Sequence, residues 1–373
     1  MTADRFATCR EVPGLLIAIA CIVIAASLVQ AQPKRGAAAA QKDEARTPVQ
    51  AVWPLPPEQP RVQFVAAYAS SVDVEGPARK SRVFALKEAL LGKERMAAQL
   101  PRVKRFQKPY GVAVDPQGRI VVTDTLQGTV FVVDAARRAF TFIGAAERQF
   151  ALSAPAGVAA DAHGNIYVGD SGNSTILQFG PDLRFVRIIG RQGDVRSPSG
   201  IALDPSGKRL YAVDTQGHAV ASFDVATGRL IRRTGERGTK PGQFGFPSGI
   251  AVAPDGLVYV ADTMNYRVQV FDPDLTFQRS FGSVGDTPGR FRRPKGIAVD
   301  AEHVVYVVDS DFNNFQMFSR RGEPLLAVGE YGVRPGQMML PAGICVDRAR
   351  RRIVVAEQMN KRVQVFERVG PPA

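Results

Sequence analysis

Six acidic residues recur along this chain at near-constant spacing: Asp124, Asp170, Asp214, Asp262, Asp309 and Glu357. Each closes or follows a short apolar stretch such as Val258-Tyr259-Val260-Ala261. Repeated carboxylates invite two chemistries, metal ligation and general acid–base work, and both need unlike groups converging on one point. A residue that returns once per repeat is instead what a repeated corner requires, because Asp at a strand end accepts hydrogen bonds from the next backbone N–H groups. The six acids are therefore read as structural corners. The histidines add no ligand set: His163 and His303 fall in turns and His218 in a corner, at opposite ends of the repeating unit, and no zinc spacing is seen. No catalytic residue, metal or cofactor is assigned.

The cations are the remaining candidates. Arg267 and Arg362, each two residues after an asparagine, either pack their stems across the repeat or reach a ligand. Arg237, Lys240, Arg292, Arg293, Lys295 and Arg334 fall in the connections leading into the last three units and predict a basic sector on the face that carries the corners. These eight residues are the candidate binding set. With 48 Lys and Arg against 35 Asp and Glu, the chain has a formal charge of +13, which attracts anionic partners and says nothing about fold. A protein, an anionic envelope polymer or a lipid surface would suit it, as would a nucleic-acid backbone. Lys208-Arg209 and Arg350-Arg351-Arg352 lie in turns of the opposite face, so positive charge is not confined to one side.

What positions these residues is a repeat. Phe246 to Gly282 reads as four short strands: Gly249 to Val252, Val258 to Ala261, Arg267 to Phe271 and a fourth around Phe277 to Phe281, joined by Pro254-Asp255-Gly256, a polar corner and Asp272-Pro273-Asp274. The pattern begins again near residues 109, 155, 198, 247, 294 and 341, always with Gly two residues after Pro. In every unit the third strand ends nine positions after the corner, from Val133 to Phe366. One such sheet cannot bury both faces alone, so the units stack or close into a ring. The sixth unit lacks a fourth strand, and Arg61 to Tyr68 is an unassigned alternating strand ahead of the first. Pairing the two closes the ring, whereas an open stack would need polar caps. The expectation is an all-β, six-bladed β-propeller of four-stranded antiparallel blades over residues 61–369.

Three segments fall outside the repeat. Residues 1–31, with Arg5 and Arg10 before an apolar run from Leu15 to Val29 and then Val29-Gln30-Ala31, predict a signal peptide or an uncleaved anchor, hence export. Export disfavours nucleic acid as partner. Removing the signal takes Cys9 and Cys21 with it and leaves Cys345, in an apolar strand, without a disulfide partner. Residues 32–60 are read as a Pro-rich tether whose Trp53 docks by packing. Residues 79–108 predict a helical insertion that covers the propeller or touches a membrane surface or partner.

Gly235 to Gly249 followed by Val258 to Phe271 resembles the NHL-repeat family of six-bladed propellers almost residue for residue, with Pro-Gly-Gln-Phe and then Tyr-Val-Ala-Asp-Thr-x-Asn-x-Arg-Val-Gln-Val-Phe. The stretches from Gly282 and Gly329 repeat much of it. The first three units depart at Gly128-Thr129, Ser174-Thr175 and Gly217-His218-Ala219, and the fifth has Phe312 and Asn314 at the Asn and Arg positions. The resemblance implies the propeller fold and a non-catalytic scaffold that binds through inter-blade loops. Related propellers also include metal-dependent lactone hydrolases and amidated-peptide lyases, and a subunit of an envelope complex is a third reading. The units' inner-strand starts carry Ala, Val and Ile instead of an unlike ligand set.

Overall fold

The computed structural model describes residues 51–55, 57–76, 103–143 and 151–370. Blade one is built of Pro109–Val114, Ile120–Asp124, Thr129–Asp134 and Ala139–Ile143, and the inner strands of blades two to six begin at Pro155, Pro198, Gly249, Pro294 and Pro341. Each of blades one to five is a four-stranded antiparallel sheet running in sequence order from its inner strand outward. The sixth is completed from the other end of the chain. Val62–Tyr68 pairs antiparallel with Arg362–Arg368, Val62 opposite Arg368 and Tyr68 opposite Val363. The molecule is a closed six-bladed β-propeller.

Sequence reasoning missed a fifth strand in this last blade. Val52–Trp53, within the segment read as a tether, pairs with Val62 and Gln63. Trp53 lies edge-on against the buried Phe366, with ring centroids 5.7 Å apart, and so fastens the closing strand from outside. Residues 1–31, the tether up to residue 50 and positions 79–102 of the helical insertion lie outside the described residues. Residues 103–108 form no helix; Arg105 instead bridges Ser70. The described α-helix is a single short turn, Ser71–Glu75.

The core lies between blades. Each of the six hydrophobic clusters joins two neighbours, and the one that closes the ring sets Val112, Ile120 and Phe131 of blade one against Val354, Ala356 and Val363 of blade six. Second strands are buried but for the leading arginines of Arg209–Asp214 and Arg352–Glu357, and Val258–Asp262 is buried completely, because both their faces meet a neighbouring sheet. Outer strands such as Phe277–Phe281 alternate between half-buried and exposed residues.

The blades meet most closely at the axis. A Cβ built on Gly111, Gly157, Gly200, Gly249, Gly296 or Gly343 would stand 2.1 to 2.8 Å from the carbonyl oxygen of a residue on, or directly before, the next inner strand. Each glycine thus admits its neighbour's backbone. Hydroxyls add to the seam: Thr123, Ser171, Thr215 and Ser310 donate to carbonyls at the start of the following blade at 2.5 to 2.9 Å. Gly343→Ala would press its methyl against the Tyr110 carbonyl at 2.2 Å, where no side chain can yield. We expect this substitution to cost about 1–3 kcal/mol or more, measured as a lower urea midpoint.

Candidate functional site

Every corner acid is fully buried and turned inward. Asp262 accepts from the Gly245 amide at 2.7 Å, Asn265 at 2.9 Å, Arg267 Nε at 2.8 Å and Gln269 at 3.0 Å. Glu357 repeats the pattern with Met339 N, Asn360, Arg362 Nε and Gln364 at 2.6 to 3.1 Å. Asp124 and Asp170 lean mainly on backbone amides, with Gln127 or Asn173 as the side-chain donor. Asp214 accepts from Ser197 N, Gly217 N and Arg233. In blade five, where the Asn and Arg are replaced, Asp309 accepts from the amides of Arg292, Arg293, Asp311 and Phe312. Four positions after each acid the chain takes a left-handed turn, at Gly128, Ser174, His218, Tyr266, Asn313 and Lys361, with φ from 48° to 58°. The carboxylate holds that strained turn by its amides.

Arg267 and Arg362 belong to this framework. Besides the acid, Arg267 donates to the carbonyls of Lys240 and Gln243, and Arg362 to those of Val333, Arg334 and Gln337. Their side chains are 15% and 13% exposed, so their donors are committed inside the blade. Gln269, Gln316 and Gln364 each grip the loop into their own blade, accepting from a glycine amide at 2.9 Å and donating to the next carbonyl at 2.8 Å. The histidines do not converge. His218 Nδ1 lies 3.1 Å from the Phe244 carbonyl, His303 lies 3.7 Å from Asp255 on the opposite face, and His163 is exposed. Among the described residues, no three His, Cys, Asp or Glu side chains form a group that could hold a metal ion.

These clamps stiffen three equivalent loops, residues 235–246, 282–293 and 329–340, each closed by a parallel bridge. Arg237, Lys240, Arg292, Arg293 and Arg334 stand exposed on them. Arg292 pairs with Asp286 at 2.7 Å and covers the Phe312 ring, and Arg293 lies 3.7 Å from Asp311. Arg237, Lys240 and Arg334 have no ion-pair partner among the described residues. The same loops and corners expose apolar side chains that sequence reasoning missed: Phe246, Met264, Val284, Tyr331, Val333 and Met359, from 42% to 67% exposed. Exposed loop residues carry no strand periodicity, so only aligning the loops reveals them. Arg237, Val284 and Tyr331 then share one position, and Thr239, Asp286 and Val333 another.

Lys295 departs from its expected place. It lies on the inner strand Pro294–Val299, not in the loop, and lines the narrow mouth of the central channel with Tyr110, Ser199 and Ser248, around a cavity of about 60 Å³. Its Nζ is 5.6 Å from the centroid of the Tyr110 ring. Burial, then Arg293 and Lys108, bring its pKa down to about 8, while Asp311 acts in the opposite sense. At its other end the channel widens to a funnel of about 630 Å³. There Arg348 crosses from blade six to donate to the carbonyls of Val299 at 3.0 Å and Val252 at 2.8 Å. Burial raises the Cys345 thiol well above its usual range, which suits a packed side chain.

A family model described as "SMP-30/Gluconolactonase/LRE-like region" matches residues 94–276. The chain is a six-bladed β-propeller, similar in sequence to that family and to NHL-repeat proteins. It is 35% identical over 91 residues to the RING finger protein nhl-1 of Caenorhabditis elegans, a match covering 23% of this chain and 9% of that protein. It is 28% identical over 128 residues to the human NHL repeat-containing protein 3, covering 30% and 36%. The matched segments therefore span a minor part of these relatives. Among solved structures, a gluconolactonase from Xanthomonas campestris superposes with a TM-score of 0.56 at 18% identity, over 71% of this chain and 87% of that one. At that identity the likeness is one of fold.

Two outcomes test the assignments made here. Arg267→Ala leaves Asp262 buried without its cation and should cost about 3–5 kcal/mol in chemical denaturation. Lys295→Met should do the reverse near neutral pH. An ammonium whose pKa falls on folding penalises the folded state below pH 8, and that penalty fades as pH rises from 8 toward the ordinary value of 10.5. The variant should melt higher than the parent at pH 7, with the difference gone at pH 10.5.

Proposed function

We propose that this propeller is a non-catalytic binding platform that holds a protein partner with an acidic surface on its corner face, through the loops into blades four, five and six. One observation carries the reading: rigid loops in a single sector expose aromatic, aliphatic and methionine side chains interleaved with cations. Tyr331, Val333 and Arg334 share one loop, Val284 lies on the next, and Met264 and Met359 occupy corners of the same sector. Apolar side chains held exposed by a stiff framework cost solvation in the free protein, and aromatic residues, Met and Arg are enriched where interfaces draw their affinity. NHL repeats in the relatives matched above fit this use. We further propose that the platform works in the cell envelope, on the strength of the apolar run from Leu15 to Val29.

The gluconolactonase likeness favours a second reading, a metal-dependent hydrolase. The six positions around the channel mouth, Tyr110, Ala156, Ser199, Ser248, Lys295 and Ala342, contain no carboxylate or imidazole. Such an enzyme would have to gather its ligands elsewhere.

A photo-crosslinking residue placed at Val333, with Val186 on the outer edge of blade two as the control, tests the platform in the native envelope. Capture of one defined protein at Val333 but not at Val186 is expected, lost when Tyr331 and Arg334 are changed to Ser. Equal capture at both positions, or capture unaffected by those changes, would overturn it.

A further inference from the structure

Three cations lie on the corner side of the channel close enough to act on one another, and one of them, Lys295, lines its mouth. Arg293 and Lys295 come from the start of blade five, and Lys108 immediately precedes the inner strand of blade one. Tyr110 belongs to blade one, so the contact between Lys295 Nζ and its ring spans the intervening blade six, whose residue at the equivalent position is the small Ala342. The Lys295 ammonium has no hydrogen-bond or ion-pair partner among the described residues. The acid that acts on it, Asp311, lies 3.7 Å from Arg293 and is shared with that guanidinium.

Like charges in a concave, partly desolvated place repel, and a protein that keeps them there has set aside room for an anion. The room is small. About 60 Å³ accepts one head group, and the axial glycines with the Val and Ile side chains that follow them line the cavity. The two wall serines are already engaged: the Ser199 hydroxyl with Thr215 and the Ser248 carbonyl, and that of Ser248 with Thr263 and the Lys295 carbonyl.

We propose that the channel mouth is an oxyanion site, in which one carboxylate or phosphate head group pairs with the Lys295 ammonium beside Tyr110, with Arg293 and Lys108 adding positive charge nearby. Cation-bearing side chains recognise either head group by charge-assisted hydrogen bonds. The site goes beyond the docking surface, since it takes a small anion and uses none of the outer loop residues Tyr331, Val333 or Arg334.

The full-length protein can be titrated separately with inorganic phosphate and with acetate at pH 7. The readouts are binding heat and the rate at which an amine-acylating reagent modifies Lys295, followed by peptide mass mapping. Saturable protection of Lys295 at one site per chain is expected; protection by phosphate alone or by acetate alone supports the site and names its head group. Lys295→Arg should keep the binding heat, and Lys295→Met should weaken it about tenfold or more. In the parent protein affinity should fall roughly tenfold per pH unit above about 8, as the ammonium is lost, while Lys295→Arg stays flat. Absence of protection by both anions at tens of millimolar, or unchanged binding in Lys295→Met, overturns the site. If Lys295→Met does not fold, protection in the parent and the flat pH profile of Lys295→Arg decide the question. The Tyr331 and Arg334 variants that test the docking surface should bind the anion normally, so either proposal can fail without the other.

Discussion

The architecture depends on the near-contact of six backbones around one axis. Sheets that bury both faces can be stacked without limit, but a closed ring of six brings the inner strands so near that a single methyl has no place. Glycine at the third position of each Pro-x-Gly start resolves this, with the neighbouring carbonyl standing where a Cβ would be, from Gly111 against blade two round to Gly343 against blade one. Closure then lets every blade bury two faces, and the hydrophobic clusters at the six seams supply the stabilisation that no isolated blade could reach. The last blade is made from both ends of the chain, so Phe366 is held by Phe64 and Trp53 from its N-terminal side and by Phe315 from the neighbouring blade.

At larger radius the buried acids perform a second task. A carboxylate with no water around it must be saturated, and each corner acid accepts enough amides and side-chain donors to fix the turn beside it. In blades four and six the donors Arg267, Gln269, Arg362 and Gln364 also grasp the incoming loop, so one buried charge orders both the corner and the neighbouring connection. This is how a surface of exposed Val, Tyr and Met side chains can be kept in a defined shape: the rigidity comes from polar groups beneath it, not from the apolar residues themselves.

Much of this was legible in the sequence because propeller physics is periodic. Pro-x-Gly starts, acids nine residues before the third strand's end and the missing fourth strand of the sixth unit gave blade number and ring closure. The readings that failed concern non-repeating residues. Val52–Trp53 is too short to show alternation, and its strand exists because the closing strand offers an open edge. Lys295 reads like its neighbours Arg292 and Arg293, yet pairing places it one step inside the strand and turns it toward the axis. The apolar residues of the loops obey no period, and their significance rests on exposure, which a sequence does not state. Arg348 carries no sequence signal of its contact: it spans to Val252, 96 positions away, because the ring brings blades four and six within reach of one side chain.

Hydrogen–deuterium exchange of the full chain, alone and with the protein captured at the corner face, measures the functional surface most directly. Slowed exchange confined to residues 235–246, 282–293 and 329–340 is the expected result. Protection centred instead on the opposite face, around residues 205–208 and 347–351, with those three loops unchanged, would contradict a corner-face platform.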